Sequence, residues 1–195
     1  MYKLRIIHPN ATGRLKLLPV MHGIVGVLFL VNAIGIYRGA ANPNWFLALF
    51  FVAVGFAGLA FPFMSKRFKN FAAANTLVRL VQIFVCLTGS LYFLSHLQPL
   101  AALLLILAGF GLGFIAWSEY TVFQPARIQL DATGITVPTA FKNRLVGWNE
   151  LNNVILRNDL LTLDFKTNKV LQIEIIDEPG KEEREAINNF CKSRL

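Results

Sequence analysis

The chain begins with four long apolar stretches and changes to short alternating segments near residue 127. The apolar stretches cover residues 17–37, 45–64, 80–97 and 100–117. Each is close to the roughly 20 residues that an α-helix needs to cross a hydrocarbon core of about 30 Å, and a helix satisfies its own backbone hydrogen bonds there. This pattern predicts four transmembrane helices joined by short connections.

The last third of the chain has the two-residue period of a half-buried sheet. Ile128 and Leu130 alternate with polar neighbours, and a turn at residues 131–134 leads to a second apolar run at 135–137. Further runs cover residues 144–148, 154–157, 160–165 and 170–176. Short strands at this spacing, separated by turn residues, predict an antiparallel sheet.

The final segment is predicted to be a helix that packs on this sheet. Acidic residues such as Glu182 lie near its start and Lys192 lies near its end, in the order that the helix dipole favours. An apolar stripe at positions i, i+3, i+4 and i+8 consists of Ile187, Phe190, Cys191 and Leu195. This stripe is the surface expected to face the sheet.

Charge is divided along the chain as sharply as hydropathy. Nine Lys and Arg but no acidic residue precede Glu119, whereas ten basic and all eleven acidic residues lie from Glu119 onward. The basic residues near the predicted spans concentrate in the N-terminal tail and in the second connection, where they are Lys3, Arg5, Arg14, Lys16, Lys66, Arg67 and Lys69. Because cytoplasmic loops retain Lys and Arg, both termini are expected to be cytoplasmic. Positive charge beside apolar spans is not typical of nucleic-acid binding, so no nucleic-acid partner is predicted.

Few polar side chains fall inside the predicted spans. His22 is the only ionisable one, and it fits a functional role, a hydrogen bond between helices or an interfacial position. Asn32 and Gln82 are predicted to join helices by hydrogen bonds. Glu119 is a lone carboxylate at the end of the fourth span, where Arg79 or Arg127 could pair with it.

The sequence has no pattern for a catalytic, cofactor or metal site. The three His residues lie at different predicted depths, and Cys86 and Cys191 have neither disulfide nor metal spacing. No carboxylate lies in the middle of a span, which disfavours proton-coupled transport. We therefore predict no cofactor, no metal and no catalytic residue.

Small residues recur at four-residue intervals in three of the spans. The pairs are Gly35 and Gly39, Ala53 and Ala57, and Gly109 and Gly113. Such pairs allow close approach of helix backbones. They are predicted to pack the helices within the bundle or against a partner subunit.

The soluble third resembles a known domain. The hairpin at residues 128–137, the strand ending at Trp148, the Trp-Asn-Glu-Leu-Asn-Asn-Val stretch at 148–154, two further strands and the closing helix resemble bacterial PH-like domains fused to membrane spans, and the YcxB-like group is the nearest. The resemblance implies a curled antiparallel sheet capped by the C-terminal helix, on a multi-pass protein of the bacterial cytoplasmic (inner) membrane. The implied fold class is four transmembrane helices with a cytoplasmic α+β domain. The expected domains are an N-terminal segment (1–16), the bundle (17–118) and the PH-like domain (119–195).

The chain departs from that family pattern in two ways. Six strands are counted where a PH-like fold has seven, and Tyr2, Leu4 and Ile6 alternate with basic residues. We therefore hypothesise that residues 2–7 supply an edge strand. The turn at residues 131–134 carries no cation, so specific phosphoinositide binding is not predicted. Contact with anionic lipid is instead assigned to Lys66, Arg67 and Lys69.

Three function classes are compatible with the sequence. The favoured one is a non-catalytic membrane protein whose domain binds a protein partner, as an accessory or scaffolding part of a membrane complex. Its candidate partner surface comprises the free edge of the sheet and Lys142, Asn143, Arg144, Arg157 and Asp159. The alternative is a small oligomeric transporter or channel-like protein, and the least favoured is an integral membrane enzyme.

Overall fold

The computed structural model describes residues 1–38 and 43–195, which divide into two units. Residues 13–120 form the first, which we call the helical unit. Residues 1–12 and 121–195 form the second, which we call the β-unit. The N-terminal segment therefore folds with the C-terminal third, although the whole helical unit separates them along the chain.

The helical unit has four long helices in its described part. They are α1 (Ala11–Arg38), α2 (Trp45–Ala60), α3 (Phe71–Ser95) and α4 (Pro99–Val122), and the first two residues of α1 and the last two of α4 belong to the β-unit. A 3-10 segment (Phe61–Arg67) continues α2. All four, with this segment counted as part of the second, are long and apolar enough to cross a membrane. The predicted helical spans are confirmed as helices.

The helices extend beyond the predicted apolar stretches because polar residues also take part in them. α3 begins at Phe71, where the side chain of Asn70 accepts a hydrogen bond from the backbone N–H of Ala73. The side chain of Asn44 caps α2 in the same way. Such caps satisfy N–H groups that have no partner within the first turn. As a result, Arg79 lies well inside α3, not at its start.

Close packing in the helical unit depends on Gly26 and Gly55. A Cβ atom built on Gly26 would lie 2.8 Å from the backbone oxygen of Gly55, so α1 and α2 approach as closely as only glycine allows. A large apolar core that includes Phe29, Phe51 and Phe93 fills the space between the helices. None of the small-residue pairs singled out above contains Gly26 or Gly55.

The predicted small-residue pairs have mixed environments. Gly109 is buried against Cys86, whereas a Cβ on Gly113 would meet nothing within 4 Å. Ala53 and Ala57 are exposed, so this pair is not buried against another helix among the described residues. Gly35 lies beside Phe93, and Gly39 lies outside the described residues.

The β-unit contains two antiparallel sheets in the described chain. The first has the order β1-β2-β3-β4, with β1 (Tyr2–Ile6), β2 (Ala126–Leu130), β3 (Gly134–Pro138) and β4 (Asn143–Gly147). The second has the order β5-β6-β7, with β5 (Leu151–Arg157), β6 (Leu160–Phe165) and β7 (Val170–Glu174). The hypothesised N-terminal strand is therefore present, and its Ile6 is in register with Ala126 of β2.

β1 also joins the two sheets. The N–H of Ile7 donates to the carbonyl of Glu174 at 2.9 Å, and the N–H of Ile176 donates to the carbonyl of Arg5 at 2.9 Å. The hydrogen-bonded neighbours then run β4-β3-β2-β1-β7-β6-β5. This order leaves β4 and β5 as the two edge strands.

The closing helix α5 (Lys181–Lys192) packs its apolar stripe into the core between the sheets. Ile187 and Cys191 are fully buried there, and Phe190 packs against the same core. Leu195, the fourth predicted member of the stripe, lies beyond the end of α5 and is exposed. The helix ends too early to bring it onto the sheet.

Candidate functional site: a buried polar ring and two sheet edges

Five polar side chains are buried together in the helical unit. They are His22 of α1, Asn75, Arg79 and Gln82 of α3, and Glu119 of α4, each at most 2% exposed. The three residues of α3 lie at positions i, i+4 and i+7, which places them on one face of the helix. We call these five side chains the polar ring.

The charged half of the polar ring is a two-point ion pair. Arg79 donates from Nε to Oε2 of Glu119 at 2.9 Å and from Nη2 to Oε1 at 2.9 Å. Asn75 donates from Nδ2 to the same Oε2 atom at 2.8 Å. A buried carboxylate needs such partners, because an uncompensated charge in an apolar interior is very costly.

His22 closes the ring on the other side. Its Nε2 atom lies 3.1 Å from Oδ1 of Asn75, and its Nδ1 atom lies 3.4 Å from Nε2 of Gln82. Arg79 donates from Nη1 to Oε1 of Gln82 at 3.1 Å, which completes the circuit. Hydrogen bonds therefore connect α1, α3 and α4 through one closed circle of side chains.

Neighbouring residues leave room for the ring and isolate it from polar contacts. A Cβ on Gly58 of α2 would lie 3.0 Å from Nε2 of Gln82, so glycine makes space for that amide. The ring of Phe61 lies 5.1 Å from that of His22, centroid to centroid. An apolar wall of this kind strengthens the electrostatic interactions inside it.

The polar ring is a structural network with no free chemical group. The buried side-chain nitrogen or oxygen that lacks a partner within the described chain is Nε2 of His8, which belongs to the β-unit. Glu119 is 2% exposed, and its two carboxylate oxygens accept three hydrogen bonds from Arg79 and Asn75. The described residues also contain no group of three or more His, Cys, Asp or Glu suited to a metal ion.

The sequence anticipated part of this arrangement. His22 and Gln82 do join helices, and Glu119 pairs with Arg79, one of its two candidate partners. Asn32 instead donates to the carbonyl of Leu28 in its own helix at 2.8 Å, not to another helix. Asn75 was missed, although its spacing from Arg79 on one helical face was a readable signal.

The two edge strands of the β-unit, β5 and β4, differ in the hydrogen-bond partners of their outward backbone groups. At the β5 edge, the side chain of Asn188 on α5 accepts from the N–H of Leu156 at 2.8 Å and donates to its carbonyl at 3.0 Å. One amide side chain thus takes the place of a neighbouring strand. This edge is covered where α5 crosses it.

The β4 edge has no such cover. The N–H of Thr139 bonds to the carbonyl of Lys142, so these two residues form a hydrogen-bonded pair. From this pair onward, non-hydrogen-bonded and hydrogen-bonded residue pairs alternate along β3 and β4. Asn143 and Leu145 then direct their backbone N–H and C=O groups away from β3. Gly147 is the next residue of β4 whose backbone groups should face away from β3. Its N–H donates to Oε1 of Glu150 at 3.0 Å, as this outward direction requires. In the described part of the chain, the backbone groups of Asn143 and Leu145 have no such partner.

The other predicted surface residues are exposed, as expected for contact sites. Lys142, Asn143 and Arg144 lie at the β4 edge, and Arg144 makes a 3.4 Å ion pair with Glu150. Arg157 and Asp159 flank the β5–β6 turn. The basic residues Lys66, Arg67 and Lys69 are exposed at and after the 3-10 segment.

Three groups of the β-unit have shifted pKa values with clear physical causes. Hydrogen bonds from the hydroxyl and N–H of Thr133 and from the N–H of Gly134 lower the pKa of Asp131. Burial raises the pKa of the Cys191 thiol to about 11. Burial also lowers the pKa of His8, and the nearby backbone of Thr139 opposes this to a smaller extent. The Cys191 thiol is therefore unreactive near neutral pH while the β-unit stays folded.

No protein-family model, no curated protein and no solved structure matches the chain.

Proposed function

We propose that this chain is a non-catalytic, multi-pass protein of the bacterial inner membrane that recruits a protein partner through a PH-like domain. Four long apolar helices, suited by length and composition to crossing a bilayer, support the membrane part of this proposal. The single observation that carries the recruiting part is the uncovered β4 edge. The domain would serve as an accessory or scaffolding part of a membrane complex.

The PH-like assignment is supported by the number and order of the strands. Seven strands in two antiparallel sheets and one closing helix are the elements that the resemblance implies. The N-terminal strand supplies the seventh strand, because the C-terminal third contains only six. The four-helix unit would then be an insertion between the first two strands of the domain.

The proposed orientation places both termini in the cytoplasm. Nη2 of Arg14 donates to Oγ of Ser118 at 3.0 Å, so the start of α1 and the end of α4 lie side by side in the helical unit. An even number of spans returns the chain to its starting side. The exposed Lys66, Arg67 and Lys69 would face the same side, because Lys and Arg favour cytoplasmic loops and anionic lipid.

Strand addition is the recognition mode that the β4 edge supports best. Outward N–H and C=O groups on an edge strand can pair with an extended segment of another chain. Leu145 is 53% exposed beside these groups, and Lys142 and Arg144 add positive charge. These features suit an extended, acidic segment of a partner.

The test is to replace Leu145 by proline and by alanine in the full chain. Proline removes an outward N–H that the sheet does not use, and edge strands tolerate it. We expect Leu145→Pro to lose a stoichiometric partner after gentle purification and Leu145→Ala to retain it. Retention of the partner by a folded Leu145→Pro protein would contradict strand addition at β4.

Self-association is a second candidate, favoured by the exposed Ala53 and Ala57 of α2. A small-residue face lets another helix approach closely, as a small oligomeric transporter or channel would require. We expect Ala53→Leu to shift a self-oligomer towards monomer in detergent if this face is used. An unchanged oligomer would remove the observation that favours this candidate.

A further inference from the structure

The hydrogen bonds of the polar ring fix the protonation state of His22. Asn75 must direct Nδ2 at the Glu119 carboxylate, so its Oδ1 atom faces His22 and Nε2 of His22 must carry a proton. Gln82 must direct Oε1 at Arg79, so its Nε2 atom donates to Nδ1 of His22. The closed ring therefore holds a neutral imidazole protonated at Nε2.

A second proton on His22 cannot be accommodated in this ring. The new Nδ1–H would point at the amide N–H of Gln82, which places two donors together. Rotating the Gln82 amide would satisfy His22, but the amide N–H would then face Nη1 of Arg79. Protonation of His22 must therefore break one contact of the circuit, whichever way Gln82 is turned.

The charges around His22 also disfavour its protonation. The charged groups that face it are Arg79 of α3 and Glu119 of α4, and they already neutralise each other. α2 and its 3-10 segment present Gly58 and Phe61 to this region. An imidazolium would be a second cation in a buried site that has one carboxylate.

We propose that the polar ring is a proton-sensitive latch, in which neutral His22 fastens α1 to α3 and protonation of His22 releases it. His22 is the member of the polar ring that lies on α1. Breaking its two contacts with α3 therefore opens the latch. This inference goes beyond the proposed recruiting function and does not depend on it.

Cys86 provides a built-in reporter of the opening. Its thiol is buried on α3, one turn beyond Gln82. Labelling by N-ethylmaleimide, divided by the rate for the unfolded protein at the same pH, measures how often this region opens. Cys191, buried in the β-unit, reports in the same experiment whether that unit has unfolded instead.

The test compares the full-length wild type with His22→Gln at pH 7.5 and pH 5.5. Glutamine keeps one donor and one acceptor but does not titrate. We expect normalised Cys86 labelling of the wild type to rise roughly fivefold at the lower pH, the factor for loss of about one hydrogen bond. His22→Gln should stay constant, and the exposed control His96→Gln should follow the wild type. An equal rise in His22→Gln, or no rise in the wild type, overturns the latch.

A second measurement applies even where His22→Gln fails to fold. Nitrogen NMR of 15N-histidine in the wild type, assigned with His8→Gln and His96→Gln, reports the tautomer directly. The latch requires His22 to be neutral and protonated at Nε2 at pH 7.5. A charged His22, or one protonated at Nδ1, overturns the proposal.

Discussion

The polar ring of the helical unit and the strand edges of the β-unit treat polar groups in opposite ways. In the ring, donors and acceptors on α1, α3 and α4 are matched in a closed circuit. In the β-unit, Asn188 pairs with the outward groups of Leu156 on β5, but the outward groups of Asn143 and Leu145 on β4 have no partner among the described residues. Matched buried groups hold a structure together, whereas open groups at an exposed edge can accept another chain.

The largest effect is expected from breaking the ion pair of the ring. Glu119→Gln leaves the Arg79 guanidinium buried without a countercharge, which should cost about 3–5 kcal/mol of unfolding free energy. Thermal unfolding of the purified full chain measures the loss. The exposed control Glu183→Gln should be nearly neutral, and a Glu119→Gln protein as stable as that control would show that the pair is not needed.

The next effect tests how tightly the helices around the ring are packed. Gly26→Ala puts a Cβ 2.8 Å from the backbone oxygen of Gly55, so α1 and α2 must separate. We expect a loss of about 1–3 kcal/mol, typical of overpacking. Gly23→Ala is the matched control in the same helix, because a Cβ there meets nothing within 4 Å. It should be neutral or stabilise by up to about 1 kcal/mol, and equal losses in the two variants would refute the close approach.

A smaller effect is expected at the covered edge of the β-unit. Asn188→Ala removes both side-chain hydrogen bonds to Leu156 and should cost about 1–2 kcal/mol. It should also make β5 an open edge like β4, with increased self-association in size-exclusion chromatography. Its neighbour Asn189 is exposed, so Asn189→Ala should change neither property. Identical behaviour of the two variants would mean that Asn188 does not cover the edge.

The smallest effect concerns Asp131 in the β2–β3 turn. Hydrogen bonds from Thr133 and Gly134 lower its pKa in the folded state, so its contribution is present above the ordinary Asp pKa near 4 and is lost as pH falls through the lower, folded value. Carboxyl-carbon NMR of Asp131 should show this lowered pKa. Thr133→Ala should raise the pKa towards the ordinary value, and an unchanged titration would contradict the assigned cause.

The sequence predicted the elements better than the interactions between them. Hydropathy located the four helices, and period-two alternation located the strands, including the one at Tyr2–Ile6, because each pattern depends on local spacing. The ring could be read only in part, because Arg79 precedes the predicted third span by one residue and was only one of two candidate partners of Glu119. Its burial depends on three-dimensional pairing with Glu119, 40 residues away along the chain.

The strand edges show the same limit. Lys142, Asn143 and Arg144 at the β4 edge were found because they are polar residues in the long connection after the second predicted strand. The cover on β5 was not found, because Asn188 lies on a helix 32 residues beyond Leu156 and its role depends on how that helix packs. Likewise, Gly26 and Gly55 form no four-residue pair, and only the crossing of two helices brings them together.

Amide hydrogen exchange tests the central contrast most directly. In the full chain, NMR exchange rates can be compared for the backbone N–H of Leu156 and that of Leu145, which occupy equivalent outward positions on the two edge strands. The Leu156 amide should exchange slowly because Asn188 accepts its hydrogen bond, and the Leu145 amide should exchange much faster. Equal protection of the two amides, or greater protection of Leu145, would contradict the account of one covered and one open edge.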